Sequence, residues 1–398
     1  MDHSFDSDAA GLARAVALLQ RPPAPADLPR TMPESGLGDA AALEAMAGAV
    51  LGRAARLGTA DALAHMDPPT PWIAAAMALW NAHLNQNLLH PGLSPVATEA
   101  EARVMSWLTP FFGMSGGHMT AGSTLANLTA LWAAREIAGV RRVVGSAAAH
   151  LSVPKAAHIL GLAWEPVATD ARGRLDPGEL PALDDAALVL TAGATSTGAI
   201  DPPGLADQAA WTHVDAAWAG PLRLSPRHAP LLDGIEQAHS VAVSAHKWFF
   251  QPKDSAMILF RDADRAHEAV AFGGAYLATP NIGVQGSRGA AAIPLLAALT
   301  AWGRAGMAAR IERTIDLIAD LYDRLSADPR VRTFGVPSAG VLLWQPQDLP
   351  VDAIAEVLPP TMVSTTMVGG APWLRHVGAN PSADIDVIWN RIDKSLAH

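Results

Sequence analysis

Apolar residues along this chain change their spacing partway through. Over residues 9–20, 40–57 and 71–87 they recur every three or four positions, which predicts helices with one buried face. Ser94-Pro95 opens a further helix running to about residue 112, with serine placed to cap its end and proline in the first turn, where no N–H is needed. The run 21–29 holds Pro22, Pro23, Pro25 and Pro29. These prolines lack donors and restrict the residues before them, so the run predicts an extended connection. From about Thr120 short apolar and β-branched runs take over, at 142–145, 164–169, 187–191, 211–215, 240–244 and 256–260. They alternate with helical stretches such as 124–138 and 153–161, a pattern that predicts a mostly parallel sheet with helices on its faces. After Gly289 helical spacing continues to about residue 325. Strands at 341–344, 362–367 and 373–377 and a last helix from about 383 follow. The expected division is an N-terminal helical segment 1–93, a large α/β domain 94–288 and a small C-terminal α/β domain 289–398.

Composition narrows the chemistry. Of 398 residues half are hydrophobic, 17% are charged and none is cysteine, which excludes disulfides, thiolate nucleophiles and Cys-type metal sites. A formal charge of −10 argues against nucleic acid, whose phosphates require clustered Lys and Arg. The most apolar stretches, 71–80 and 290–302, are too short or too interrupted to span a bilayer. The acidic start, Met1-Asp2-His3-Ser4, does not resemble a signal peptide, so a cytoplasmic location is expected. The 14 histidines are scattered, and His83 with His90 lacks the ligand spacing of a helical zinc site, so no metal is expected.

Three features at predicted strand ends carry chemistry. The strand Thr212-His213-Val214 delivers Asp215, followed by the small Ala216 and Ala217. In open α/β sheets ligands sit beyond the carboxyl ends of strands, so Asp215 projects into a crevice with room for a flat ring. A second strand, Val241-Ala242-Val243-Ser244, delivers His246 and Lys247, 32 residues after Asp215 and about one βαβ unit away. A partly buried lysine has a depressed pKa and forms Schiff bases readily. The turn Gly122-Ser123-Thr124 enters a helix, where free amides and hydroxyls make a phosphate seat. Taken singly each signal is weak: the turn has an ordinary explanation as a plain cap and Asp215 as a turn residue, while a lysine after an apolar strand is rare as packing. Together, a carboxylate for a pyridine nitrogen, an amine for an aldehyde and a phosphate turn are what pyridoxal 5′-phosphate requires.

With these motifs in their order, from about Pro68 to the C-terminus, the chain resembles the group II pyridoxal-phosphate-dependent amino acid decarboxylases, which act on aromatic amino acids, glutamate or 2,4-diaminobutyrate. The strongest matches are His213-Val214-Asp215-Ala216-Ala217 and His246-Lys247-Trp248. Ser94-Pro95 with Thr98-Glu99, the turn 122–127, the segment 191–201 and Leu374-Arg375 support them. The resemblance implies the type I aminotransferase fold, with a large cofactor domain and a small C-terminal one, and a homodimer with active sites at the interface, to which segment 1–93 contributes.

It also implies roles. Lys247 resembles the Schiff-base lysine and Asp215 the partner of the ring nitrogen. His150 is similar to the histidine that stacks on the ring, with Ala217 on the opposite face. Gly122, Ser123, Thr124, Ser244 and His246 resemble phosphate contacts, and Thr195 lies towards the ring oxygen. Arg375 is similar to an arginine that meets a substrate carboxylate, a surface or interdomain ion pair being its ordinary alternative. Tyr276, 29 residues after Lys247, resembles the loop tyrosine that returns a proton to the substrate carbon, and His246 is a second candidate. The loop from Tyr276 to Gly286-Ser287-Arg288 is shorter than is usual in the family.

Phe249-Phe250-Gln251-Pro252 is similar to the segment of diaminobutyrate and diamine-forming decarboxylases. The expected reaction is thus loss of CO2 from an L-amino acid with a diaminobutyrate-like or other polar side chain, with an aromatic amino acid as the alternative. Gly286-Ser287-Arg288 is also similar to pyridoxal-phosphate lyases, which keeps carbon–carbon cleavage open. An inactive cofactor-fold binding subunit is the non-enzymatic alternative.

Overall fold

The computed structural model describes residues 8–275, 277 and 280–397. The predicted proton donor Tyr276 lies outside them. The chain forms two compact units, Met1–Arg56 and Leu57–His398. In the first, helix α1 (Ala9–Gln20) is capped by Asp8, whose carboxylate accepts the Ala10 N–H. Helix α2 (Asp39–Val50) ends earlier than the hydrophobic spacing predicts. Just beyond it, at Gly52, a side chain would come within 2.9 Å of the Pro23 carbonyl of the proline run. Arg14 on α1 pairs with Glu44 on α2 at 2.6 Å.

The second unit begins with helices α3 (Trp72–Leu84) and α4 (Pro95–Leu108). A seven-stranded sheet follows, built from β1 (Gly116–Thr120), β2 (Arg142–Ser146), β3 (Ala163–Val167), β4 (Ala186–Thr191), β5 (Trp211–Asp215), β6 (Ser240–Ser244) and β7 (Ala256–Phe260). Its order is β1-β7-β6-β5-β4-β2-β3, and every pairing is parallel except those of β7 with its two neighbours. The sheet is buried on both sides because successive strand residues point to opposite faces and both sets are apolar. Val143, Val189, Ala242 and Ile258 join one core with helices α5 (Ser123–Ala138), α6 (Ser152–Ile159) and α7 (Ala263–Ala269). Val144, Leu188, Val241 and Leu259 join the opposite core with α4.

Strand β1 was not predicted, since Gly116 and Gly117 carry no strand propensity. Its pairing with β7 explains the glycine: a side chain at 117 would run into the Ile258 carbonyl.

A short ribbon of β8 (Ala271–Phe272) and β9 (Asn281–Ile282) precedes helix α8 (Ala292–Ala327). This helix is long and apolar enough by composition to cross a membrane. Its apolar residues are used within the fold instead. Leu295, Leu299 and Ile311 enter the core of the large sheet, while Leu317, Leu321 and Leu325 enter that of the small domain, with a kink at Gly303. The small domain is an antiparallel sheet, β10 (Val331–Thr333), β11 (Val341–Pro346), β12 (Ser364–Val368) and β13 (Ala371–Val377), in the order β10-β11-β13-β12. Helices α9 (Val351–Val357) and α10 (Ile385–Ser395) pack into its core.

Candidate active site

Because β2, β4, β5 and β6 run parallel, their carboxyl ends open on one side of the sheet. A cavity of about 300 Å³ lies there. The start of α5 lines it with Gly122, Ser123 and Thr124, and the loops after β2 and β4 add His150 and Thr195. Asp215 and Ala217 come from the end of β5, and Ser244, His246 and Lys247 from the end of β6 and the turn that follows. Positions separated by more than 120 residues thus form one wall-to-wall set.

The floor at α5 is suited to an anion. Gly122 has φ 148° and ψ 158°, a conformation essentially closed to residues with a side chain, and α5 has no side-chain cap. Its first N–H groups are therefore left to a ligand, at the positive end of the helix. Ser123 Oγ and Ser244 Oγ are 2.7 Å apart, so one helix and one strand contribute a pair of hydroxyls to this floor. The turn is held from behind. Gln285 accepts the Ala121 N–H at 2.9 Å, and Arg288 is salt-bridged to the buried Glu101.

Lys247 sits on a tightly wound turn after β6. Phe250 N–H donates to the Lys247 carbonyl at 2.8 Å, and Phe250 and Asp254 both adopt left-handed backbone conformations. Strain of this kind persists only where surrounding structure enforces it. Here Trp248 is fully buried and stacked on Trp218, with ring centroids 4.0 Å apart. The Trp218 indole donates to the Ala339 carbonyl and the Trp248 indole to that of Gly378, both at 2.7 Å, which ties the turn to the small domain. The Lys247 amine makes no hydrogen bond or ion pair with a described residue. Burial lowers its pKa, opposed by the charges of Asp215 and Asp67 and reinforced by Lys253 and Arg375. An amine so placed is more readily neutral and nucleophilic.

Asp215 is buried and held from two sides. Its Oδ2 accepts from Asn127 Nδ2 at 2.8 Å and its Oδ1 from the Ala217 N–H at 3.1 Å. His150 lines the cavity with its Nδ1 turned to Ser152 Oγ at 2.8 Å, and burial lowers its pKa. Burial also pushes His246 down to about 4, and its Nδ1 accepts the Ser255 N–H at 3.4 Å. A neutral His246 suits hydrogen bonding to an anion better than donation of a proton from an imidazolium.

Arg375 does not line this cavity. It lies on β13, buried, with Nη1 donating to the Ala64 carbonyl at 3.3 Å and to Ser364 Oγ at 3.2 Å, while its Nε has no partner among the described residues. Burial pushes the guanidinium down to about 10, and the Asp67 charge opposes this.

The residues missing from the sequence reading are those that act through others: Asn127, Ser152, Asp201 and Gln285. Of these Asn127 and Asp201 left a trace, as the last residues of the supporting motifs 122–127 and 191–201, without a role. Asp201 accepts the N–H groups of Leu175 and Thr191, both at 2.7 Å, and so closes the loop that brings Thr191 and Thr195 to the cavity.

The donor set fits pyridoxal phosphate. An amine without a partner, a buried carboxylate, an uncapped helix start and the unpartnered hydroxyl of Thr191 face one cavity. Lys247 would hold the aldehyde, Asp215 the ring nitrogen, and Ser123, Thr124 and Ser244 the phosphate.

Comparison with known proteins agrees with this chemistry. The model of the family described as pyridoxal-dependent decarboxylase conserved domain matches residues 61–340. An L-2,4-diaminobutyrate decarboxylase of Rhizobium meliloti is 34% identical over 79% of this chain and 70% of its own length. An aspartate 1-decarboxylase of Aliivibrio fischeri is 31% identical over 51% of this chain and 47% of its own. Among solved structures, Oryza sativa TDC with PLP and tryptamine superposes with a TM-score of 0.87 at 21% identity, covering 98% of this chain and 99% of that one.

Proposed function

Because the chain belongs to the pyridoxal-dependent decarboxylase family, carboxy-lyases that work with pyridoxal 5′-phosphate, we propose that it decarboxylates an L-amino acid with a diaminobutyrate-like or other polar side chain, using Lys247 to hold the cofactor. The observation that carries this reading is the single cavity lined by Lys247, Asp215, His150 and the hydroxyls of Ser123 and Ser244. The diaminobutyrate preference draws on the Rhizobium meliloti relative and on Phe249-Phe250-Gln251-Pro252.

Bound in this cavity, pyridoxal phosphate supplies an aldehyde that captures an amine and a ring that takes up the electron pair left when CO2 departs. The remaining work falls to the chain. Lys247, its amine freed of partners and lowered by burial, is the nucleophile. Asp215, fixed in place by Asn127, would hold a proton at the ring nitrogen. With the cofactor bound, His150 would cover one ring face and Ala217 the other, while Gly122, Ser123, Thr124, Ser244 and His246 would seat the phosphate and Thr195 would lie towards the ring oxygen. Arg375, outside the residues that line the cavity, would orient a substrate carboxylate that extends beyond it, and Tyr276 would return the proton to the substrate carbon, with His246 as the alternative donor. Orientation of this kind lets the protein choose which bond breaks.

The proposal includes a homodimer in which segment 1–93 makes contacts and the large and small domains span 94–288 and 289–398. Trp72, Leu79, Trp80 and Leu84 support it, forming an exposed apolar strip along α3 that is at odds with full solvation. A cytoplasmic location completes the proposal, to be checked by cell fractionation.

The test is a panel of L-amino acids supplied to the cofactor-loaded protein, with CO2, amine and aldehyde measured. Amine and CO2 in equal amounts from a polar amino acid support the proposal. Turnover of aromatic amino acids alone would reassign the substrate, and aldehyde without CO2 would move the chain to carbon–carbon lyases.

A further inference from the structure

Beneath the cavity runs a chain of hydrogen bonds whose two ends have fixed character. The Trp211 indole can only donate and the Asp215 carboxylate can only accept, so the hydrogens between them have one consistent arrangement. Trp211 Nε1 donates to Ser240 Oγ at 3.0 Å, and Ser240 donates to His213 Nδ1 at 2.9 Å. The proton of His213 is then on Nε2, which donates to Asn127 Oδ1 at 2.9 Å. This orients the Asn127 amide, whose two hydrogens go to Asp215 Oδ2 at 2.8 Å and Ser152 Oγ at 2.9 Å. Ser152 Oγ gives its hydrogen to His150 Nδ1 at 2.8 Å, because a second donor already fixes that nitrogen as an acceptor. The Ser152 backbone N–H points to the same nitrogen at 3.2 Å. Asn127, Ser152, His213 and Ser240 are all buried, so bulk solvent does not compete for these bonds.

We propose that Asn127 and Ser152 are positioning residues that lock His150 into the tautomer with a bare Nδ1 and its proton on Nε2, the ring nitrogen without a partner among the described residues. The same amide that fixes Asp215 thereby sets what His150 presents to the cavity: an N–H donor, suited to a carboxylate or another oxygen of the bound molecules. The role for His150 rests on the cofactor reading above, but its tautomer can be observed whether or not that reading holds.

The experiment is long-range ¹H–¹⁵N spectroscopy of histidine-labelled protein, with and without pyridoxal phosphate, His150 being assigned through His150→Gln. Across pH 6.5–8.5 the wild type is expected to show a single neutral tautomer of His150 protonated on Nε2. Ser152→Ala removes the hydroxyl donor while keeping the backbone N–H, and is the milder variant should Asn127→Ala fail to fold. In it the two tautomers exchange, and protonation of His150 moves to higher pH, because one of two bonds to the bare nitrogen is gone. The charges that face the ring, Asp215, Lys247 and Lys155, stay as they were. The same variant is expected to lose about tenfold in kcat/KM, the worth of one well-placed hydrogen bond. A wild-type His150 protonated on Nδ1, or a Ser152→Ala protein with unchanged tautomer and titration, would overturn the proposal.

Discussion

The two polar regions on either side of Lys247 differ in how completely the chain satisfies them. Towards the sheet, Asp215, Asn127, His213, Ser152 and Ser240 form a closed set in which each described side chain has a partner. Towards the small domain, Arg375 keeps an Nε without a partner, and the buried Trp344 Nε1 and His376 Nε2 lack one too. Buried polar groups cost about 1–3 kcal/mol each when unpaired, so the first region is built to stay rigid and the second carries that cost. The lesson is a division of labour. The network around Asp215 is complete among the described residues, while the small domain keeps buried polar groups unpaired.

That contrast can be broken by substitution. On the finished side, Lys247→Ala is expected to lower kcat by about 10⁴-fold or more, since no other group can replace the nucleophile. Retention of more than a hundredth of the activity would remove Lys247 from its role. Asp215→Ala is expected to lower kcat by about 10²–10⁴-fold, as loss of a preorganised charge does. It should also destabilise the fold by about 1–3 kcal/mol, because Asn127 Nδ2 loses its acceptor. Parallel urea titrations and steady-state assays read both.

Acid sharpens the comparison, since each region holds a buried neutral histidine. Burial pushes His213 and His376 down to about 4. Unfolded histidine titrates near 6.5, so the unfolded state binds more protons between the two values, and stability present above pH 6.5 is lost as pH falls towards 4. The loss is about 3 kcal/mol per group at 1.4 kcal/mol per pKa unit. Asp201, raised by burial to about 6, acts in the opposite sense and favours the folded state as pH falls from 6 towards 3.8. Melting temperatures measured from pH 7.5 to 4.5 should fall. In His376→Gln the fall should be shallower by about one group's share.

On the open side the expected effects are smaller. Arg375→Ala should reduce kcat/KM by about 10–100-fold, mostly through KM, since a charged hydrogen bond to substrate is worth about 1.5–3 kcal/mol. An effect confined to kcat would place Arg375 elsewhere in the mechanism. Ser123→Ala should weaken cofactor affinity only several-fold, because Ser244 and the helix amides remain. Equilibrium dialysis against pyridoxal phosphate measures it.

Much of this was legible in the sequence, for physical reasons. The strands Trp211–Asp215, Ser240–Ser244 and Ala256–Phe260 match their predicted limits because a sheet buried on both faces writes continuous apolar runs. Asp215, Ser244 and Lys247 were visible because polar residues ending such runs stand out. Strand β1 was hidden by its glycines. The roles of Asn127 and Ser152 were hidden for another reason: the bonds from Asn127 to Ser152 and Asp215 span 25 and 88 residues, distances that no local pattern encodes. The short helix α7 and the β8–β9 ribbon carry too few residues to show a period.

The central claim is that Lys247 holds the cofactor in the cavity above Asp215, and covalent trapping tests it most directly. The cofactor-loaded protein is reduced with borohydride, digested and mapped by mass spectrometry. The account predicts one phosphopyridoxyl group per chain, on Lys247, and its absence from the Lys247→Ala protein. A label on Lys155 or Lys253, or none at all, would contradict it.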